Sequence, residues 1–167
     1  MAIVIGIDPG SRITGYGIVS HLKNNIQHIA HGEIKIRSEN FADKLLEIFT
    51  GITKVITEYH PEQASIEQVF TCHNHQSALK LGQARGAALT ALASAGLAVS
   101  EYSAKHIKKA VVGYGNAEKI QVQHMIRVLL KLTQTPPPDA ADALAIAICH
   151  CHSQSLVSKL PSLLGQK

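Results

Sequence analysis

The segment Ile3-Val4-Ile5-Gly6-Ile7-Asp8-Pro9-Gly10-Ser11 limits what this chain can fold into more than any other. Consecutive β-branched residues closed by Pro and Gly read as a buried strand. Pro9 biases Asp8 towards extended backbone, which puts a carboxylate on the last rung of that strand. A carboxylate where a buried strand meets solvent is costly unless something positive stands beside it. Asp-Pro-Gly is also a common turn sequence, so an Asx-turn role for Asp8 remains the plain alternative.

More strands follow. Ile13 to Ser20 reads as the second and Ile26 to Arg37 as the third, where Ile34 and Ile36 alternate with Glu33, Lys35 and Arg37. Short turns between them imply an antiparallel meander. The period then changes. Phe41, Leu45, Ile48, Ile52, Val55 and Tyr59 mark one face of a helix, with Asn40 as its cap and Pro61 as its stop. A strand over Gln63 to Val69 carries Glu67. A long helix is expected from Asn74 to Ala95, a fifth strand from Leu97 to Tyr102, a helix from Asn116 to about Leu132, and a last helix from Asp139 to about His152 after Pro136-Pro137-Pro138. This order predicts an α/β domain over residues 1–152: a five-stranded mixed sheet of three antiparallel strands and then parallel additions, flanked by helices. Residues 153–167 are polar with little periodicity and read as a tail, a candidate for mobility.

Composition narrows the partners. The chain has 167 residues, enough for one real core. A net charge of +4 together with ten His favours an anionic partner. Three Cys are too few for a disulfide framework, and a reducing compartment fits them better. The start Met1-Ala2-Ile3 has no basic region or cleavage site, and no apolar run reaches the roughly 18 residues of a membrane span. The expected location is the cytoplasm.

The acids carry the chemistry. Glu67 lies inside an apolar strand with no basic neighbour in sequence, and buried Glu is rare unless paired. Asp139 and Asp142 are three apart and share one face at a helix start, where acids are also favoured by the helix dipole alone. Asp8, Glu67, Asp139 and Asp142 could cluster only if their charge were neutralised. An oxygen-rich site of this kind selects Mg²⁺ or Mn²⁺. Two such ions about 4 Å apart can drive phosphodiester hydrolysis. No Walker loop or paired-Cys zinc signature is present. In Cys149-His150-Cys151-His152 only Cys149 and His152 share a helical face, so this segment cannot by itself supply a tetrahedral set.

These residues resemble a known family. The segments are 6–11 with Thr14-Gly15-Tyr16-Gly17, then Ile66 to Phe70, Ser77 to Gly86, Val111-Val112-Gly113, Ala117-Glu118-Lys119, Gln121 to Met125 and Asp139 to Ala145. In order and spacing they are similar to the RuvC family of Holliday junction resolvases, in the ribonuclease H superfamily. The resemblance implies a ribonuclease H-like fold. It implies Asp8, Glu67, Asp139 and Asp142 as the catalytic, metal-binding acids, with two Mg²⁺ per subunit and Mn²⁺ as a substitute. It further implies a homodimer that cuts symmetric strands of a four-way junction in recombination and repair, leaving 5′-phosphate ends, and the RuvA–RuvB branch-migration machinery as partner. The Cys/His-rich stretch 71–75 and the triple proline depart from the family pattern without touching the acids.

Secondary candidates follow. Phe70, after the Glu67 strand, is either a core ring or a base-stacking wedge, and the resemblance favours the wedge. Lys105, Lys108 and Lys109 form a basic cluster that would ordinarily be a solvated face. Lys119 lies in the first turn of a helix, where phosphate would be welcomed by lysine and helix end together. Lys108 and Lys119 are the leading phosphate contacts, with Lys105, Lys109 and Arg12 behind them. Small residues Ala78, Gly82 and Gly86 suggest close approach of another backbone. Either the chain's own sheet or a two-fold partner would explain them, and the partner suits a four-way junction better. Competing functions are a ribonuclease H acting on RNA–DNA hybrids, an actin-like ATPase (which needs a duplicated domain) and a DNA-binding scaffold without catalysis.

Overall fold

The structure, a computed structural model, describes residues 1–23, 25–68 and 74–164, with the side chains of 156–164 outside the description. Strands β1 (Ala2–Asp8), β2 (Ile13–Leu22) and β3 (Asn25–Lys35) form the antiparallel meander. After helix α1 (Phe41–Tyr59), strand β4 (Gln63–Gln68) lies parallel to β1. After helix α2 (His75–Ser94), strand β5 (Val99–Ser103) lies parallel to β4. The sheet order is β3-β2-β1-β4-β5. Three helices complete the chain: α3 (Ala104–Val112), α4 (Lys119–Leu129) and α5 (Pro138–Leu164).

The period of two along the strands sorts side chains into two cores. Ile5, Ile7, Ile18, Ala64 and Ile66 pack with α1 and α2 on one face. Val4 and Val19 pack with α3, α4 and α5 on the other. Asp8 and Glu67 belong by alternation to this second face.

Local chemistry sets the ends of the elements. Asn40 caps α1, its Oδ1 accepting from Ala42 N at 2.8 Å, and His60 closes it in the left-handed region before Pro61. Asn74 caps α2 in the same way. Three expectations differ. The basic cluster at 105–109 lies on α3, a helix announced only by Ile107 and Val111 on its buried side. Helix α4 starts at Lys119, not near Asn116, because Glu118 and Gln121 close a reciprocal capping box there. Finally, α5 begins on Pro138, whose fixed φ suits a first helical position, and runs to Leu164, past His152.

Candidate active site

The Asp8 turn is held from within. Thr14 Oγ1 donates to Gly10 O at 3.1 Å and accepts from Gly10 N at 3.3 Å. This clasp ties the segment after Asp8 to β2.

The approach of α5 is decided by glycines. Gly6 and Gly17 face each other across β1 and β2, and Asp8 faces Gly15. A Cβ on Gly6 would fall 2.2 Å from Ala143 O, one on Gly17 would fall 2.7 Å from Leu144 N, and one on Gly15 would fall 2.0 Å from Asp139 O. The backbone of α5 therefore lies directly on a side-chain-free track of the sheet. That contact lays the first turn of α5, with Asp139 and Asp142, beside the end of β1. Glu67 arrives by register: Gly6 pairs with Ser65 and Ile7 with Ile66, so the next same-face position on β4 neighbours Asp8. Ser65 Oγ, within hydrogen-bonding distance of Ile5 O and Ile146 O, pins the same layers.

The four acids share one electrostatic field. Burial first, and then the charges of Asp142, Glu67 and Asp139, push the Asp8 carboxyl up to about 8, against the opposing pull of Lys119. Burial and Asp142 likewise raise Glu67, while Lys108 and Lys119 pull it down. Lys119 Nζ ion-pairs with Asp142 Oδ2 at 2.8 Å, and that bond raises the lysine pKa. A small cavity of about 180 Å³ opens between Glu67, Asp142, Lys108 and Lys119 over an apolar floor of Ile107, Val122 and Ile146.

The donor set suits a hard divalent cation. Every side chain offers carboxylate oxygen, and Asp8 and Glu67 are raised first by burial and then by neighbouring acids, both of which a cation would offset. Among the described residues, no three His, Cys, Asp or Glu side chains close into a ready-made cage. Asp142, one of the four, is paired with Lys119.

The remaining candidates scatter. Lys105 and Lys109 are exposed on α3, and Arg12 is exposed after the Asp8 turn. Phe70, with the 69–73 stretch around it, lies outside the described residues. Ala78, Gly82 and Gly86 lie along α2; Gly82 and Gly86 are exposed, and a Cβ added to either meets nothing within 4 Å. Those two glycines therefore do not serve packing onto the chain's own sheet. Cys149 and Cys151 are buried, and burial pushes both thiols up to about 12, as expected of inert packing groups. The sequence reading missed Arg85, which reaches the backbone of Glu67 from α2. It also missed the glycine track, whose only trace is the spacing of Gly15 and Gly17.

The family model for crossover junction endodeoxyribonuclease RuvC matches residues 4–150. A crossover junction endodeoxyribonuclease RuvC of Coxiella burnetii (strain RSA 331 / Henzerling II) is 56% identical over 98% of this chain and 95% of its own length. One of Geobacter sulfurreducens is 54% identical over 96% of this chain and 98% of its own. Among solved structures, T. thermophilus RuvC in complex with Holliday junction substrate superposes with a TM-score of 0.88 at 31% identity, covering 95% of this chain and 98% of that one. The yeast mitochondrial Holliday junction resolvase Ydc2 shares the fold, with a TM-score of 0.72 at 14% identity over 98% of this chain and 83% of that one.

Proposed function

The chain belongs to the RuvC family of crossover junction endodeoxyribonucleases, and from that premise we propose that it resolves four-way DNA junctions by hydrolysis at the pocket of Asp8, Glu67, Asp139 and Asp142. The observation that supports this reading most is the common field of these acids, opposed by Lys119 and Lys108. In this reading the four carboxylates hold Mg²⁺, or Mn²⁺ in its place, two ions per subunit. A bound ion of this kind supplies Lewis acidity and lowers the pKa of attacking water.

The chain's own residues do the rest. Lys119, at the start of α4, is the first phosphate contact: its ammonium would leave Asp142 for a phosphate oxygen were that acid's charge met by a cation. Lys108, which lines the same cavity as Glu67, is the second phosphate contact. Lys105, Lys109 and Arg12 add sequence-independent contacts further out, and Phe70 stacks on a base beside the cut.

The assembly we propose is a two-fold homodimer through α2 at Ala78, Gly82 and Gly86, which gives two cuts per junction. It acts in the cytoplasm in recombination and repair, handed its substrate by the RuvA–RuvB machinery. Among the described residues no helix is long and apolar enough to cross a membrane.

The test is direct. Labelled four-way junction, linear duplex and RNA–DNA hybrid are incubated with the protein, with and without Mg²⁺. Paired nicks with 5′-phosphate ends in the junction alone, abolished by EDTA, are expected. Preferential cutting of the hybrid would transfer the protein to the ribonuclease H reading.

A further inference from the structure

Arg85 sits in the middle of α2, on a turn anchored by buried Ala84 and Ala88. Its guanidinium spans two strands. Nε donates to the carbonyl of Glu67 on β4 at 3.0 Å, while Nη2 is ion-paired with the carboxylate of Glu101 on β5. Glu101 is the β5 partner of Ile66, one rung before the pair of Glu67 with Tyr102. The β1 register with β4 stops at Ile66. Glu67 is therefore a strand residue with a paired strand on one side only, and a side chain from α2 takes its carbonyl.

We propose that Arg85 is a positioning residue for Glu67, fixing through that carbonyl the direction in which the carboxylate points; the inference rests on reading Glu67 as a site acid. Holding the peptide after Glu67 fixes the backbone that carries its Cα–Cβ bond, and with it the aim towards Asp8 and Asp142. The action is geometric. The charges that bear on the Glu67 carboxyl come from Asp142, Lys108 and Lys119, whereas Arg85 meets the residue at its main chain. The fork matters as much as the charge. A planar guanidinium can hold a carbonyl on one strand and a carboxylate on the next in a fixed relation, and a lysine ammonium on a flexible stem cannot. Glu101 is the anchor that orients the fork; its side chain is 42% exposed against 19% for Arg85.

The experiment uses the full chain and a synthetic labelled four-way junction. Wild type, Arg85→Lys, Arg85→Gln and Glu101→Gln are compared by single-turnover cleavage at saturating junction, Mg²⁺ titration, junction affinity without Mg²⁺, and thermal melting. Both Arg85 variants are expected to cut about tenfold more slowly, a rise of about 1.4 kcal/mol in the barrier. Their Mg²⁺ midpoint should rise several-fold while junction affinity stays within twofold. Lysine should not rescue. Glu101→Gln, which keeps the Nε bond, should move rate and midpoint the same way by less. Should Arg85→Gln fail to fold, the exposed Glu101→Gln change carries the test alone. An unchanged rate and Mg²⁺ midpoint overturn the inference. So does a loss wholly accounted for by weaker junction binding with a flatter salt dependence, which would make Arg85 a phosphate contact. A wild type that cuts beside a normal Arg85→Gln overturns this inference alone. A wild type that leaves the junction intact overturns the reading of the site with it.

Discussion

Lys119 Nζ lies 2.8 Å from Asp142 Oδ2, so the cation at the mouth of the acidic pocket belongs to the protein itself. The lysine side chain is 56% exposed, and solvent screening makes this pair a weak source of stability. Its use is to be exchanged. Lys119→Ala should leave melting nearly unchanged, weaken junction binding and reduce the slope of log affinity against log salt by about 1. Binding isotherms at several salt concentrations measure this, and an unaltered slope would remove Lys119 from the phosphate contacts.

Asp8 gives the second prediction. Its folded pKa, pushed up to about 8, lies above the ordinary value of 3.8. The folded state therefore binds a proton more tightly than the unfolded chain does. Stability from this group is complete below about pH 4 and falls as pH rises through 8. Glu67, also raised, contributes with the same sign. Above pH 7, His28, His31 and His150, all lowered mainly by burial, are neutral in both states and add no slope. Metal-free protein should thus melt at falling temperature from pH 7 to about 8; towards pH 9 any further fall belongs to the buried Cys149 and Cys151 thiols, raised from 9.0 to about 12. Mg²⁺ should restore the loss, and more strongly at pH 9. Asp8→Asn should stabilise the metal-free protein at pH 8 by about 1–3 kcal/mol, remove most of the Mg²⁺ effect and abolish cleavage while sparing junction binding. Calorimetry across that range decides it: a wild-type melting temperature that is flat with pH and indifferent to Mg²⁺ would refute the shared acidic field.

The glycine track makes the third. At Gly15 a Cβ would meet Asp139 O at 2.0 Å, a backbone atom that cannot swing aside. Gly15→Ala must lift the first turn of α5 off β2 and carry Asp139 and Asp142 away from Asp8. We expect a loss of about 1–3 kcal/mol in urea unfolding and a larger fall in cleavage than in junction binding. Gly96→Ala makes a useful contrast: nothing lies within 4 Å of its Cβ, so only its positive φ of 76° is strained, and cleavage should survive.

Of the four acids only Glu67 is locally out of place, a carboxylate in an apolar strand; Asp8 suits a turn and Asp139 and Asp142 suit a helix start, so their common field appears only once the chain is folded. The meander was legible too, since short turns between β1, β2 and β3 leave it as the simple solution, whereas the position of β4 beside β1 was not. The misses share a different cause. The signal for α3 is two buried residues in nine, too short for a periodicity to stand out. Asn116 is the better capping residue in isolation, but the reciprocal bonds of Glu118 and Gln121 set the helix start. The polar composition after His152 hid the continuation of α5. Arg85 and the glycine track act across the fold, one from α2 to β4 and the other from α5 to the sheet, so no local window contains both partners.

A buried network tests the core between these layers. His150, 2% exposed, is held between Tyr102 Oη at 2.9 Å and Gln63 Oε1 at 3.0 Å. Since Gln63 Oε1 can only accept, His150 Nε2 donates to it and Nδ1 accepts from the tyrosine. His150→Leu leaves both partners short of a bond and should cost about 1–3 kcal/mol, whereas Tyr102→Phe removes one bond and should cost about 1 kcal/mol. Chemical denaturation of the two variants ranks them. A His150→Leu protein as stable as wild type would mean that the network adds nothing to the fold.

Assembly can be separated from folding at Gly86. Space around its Cβ is open, Gly82 is the same one turn away, and Leu79 on the same helix is 63% exposed. A side chain at Gly86 therefore has room in a single chain, and replacing a helical glycine favours the helix by up to about 1 kcal/mol. Gly86→Glu should fold at least as well as wild type. If α2 is the two-fold contact, the same substitution sets two carboxylates against each other where backbones meet, and the protein should sediment as a monomer. Junction cleavage should then fall from paired nicks to slow single ones, with the pocket of Asp8 and Glu67 left intact. Dimers of unchanged affinity in sedimentation would move the interface off this helix.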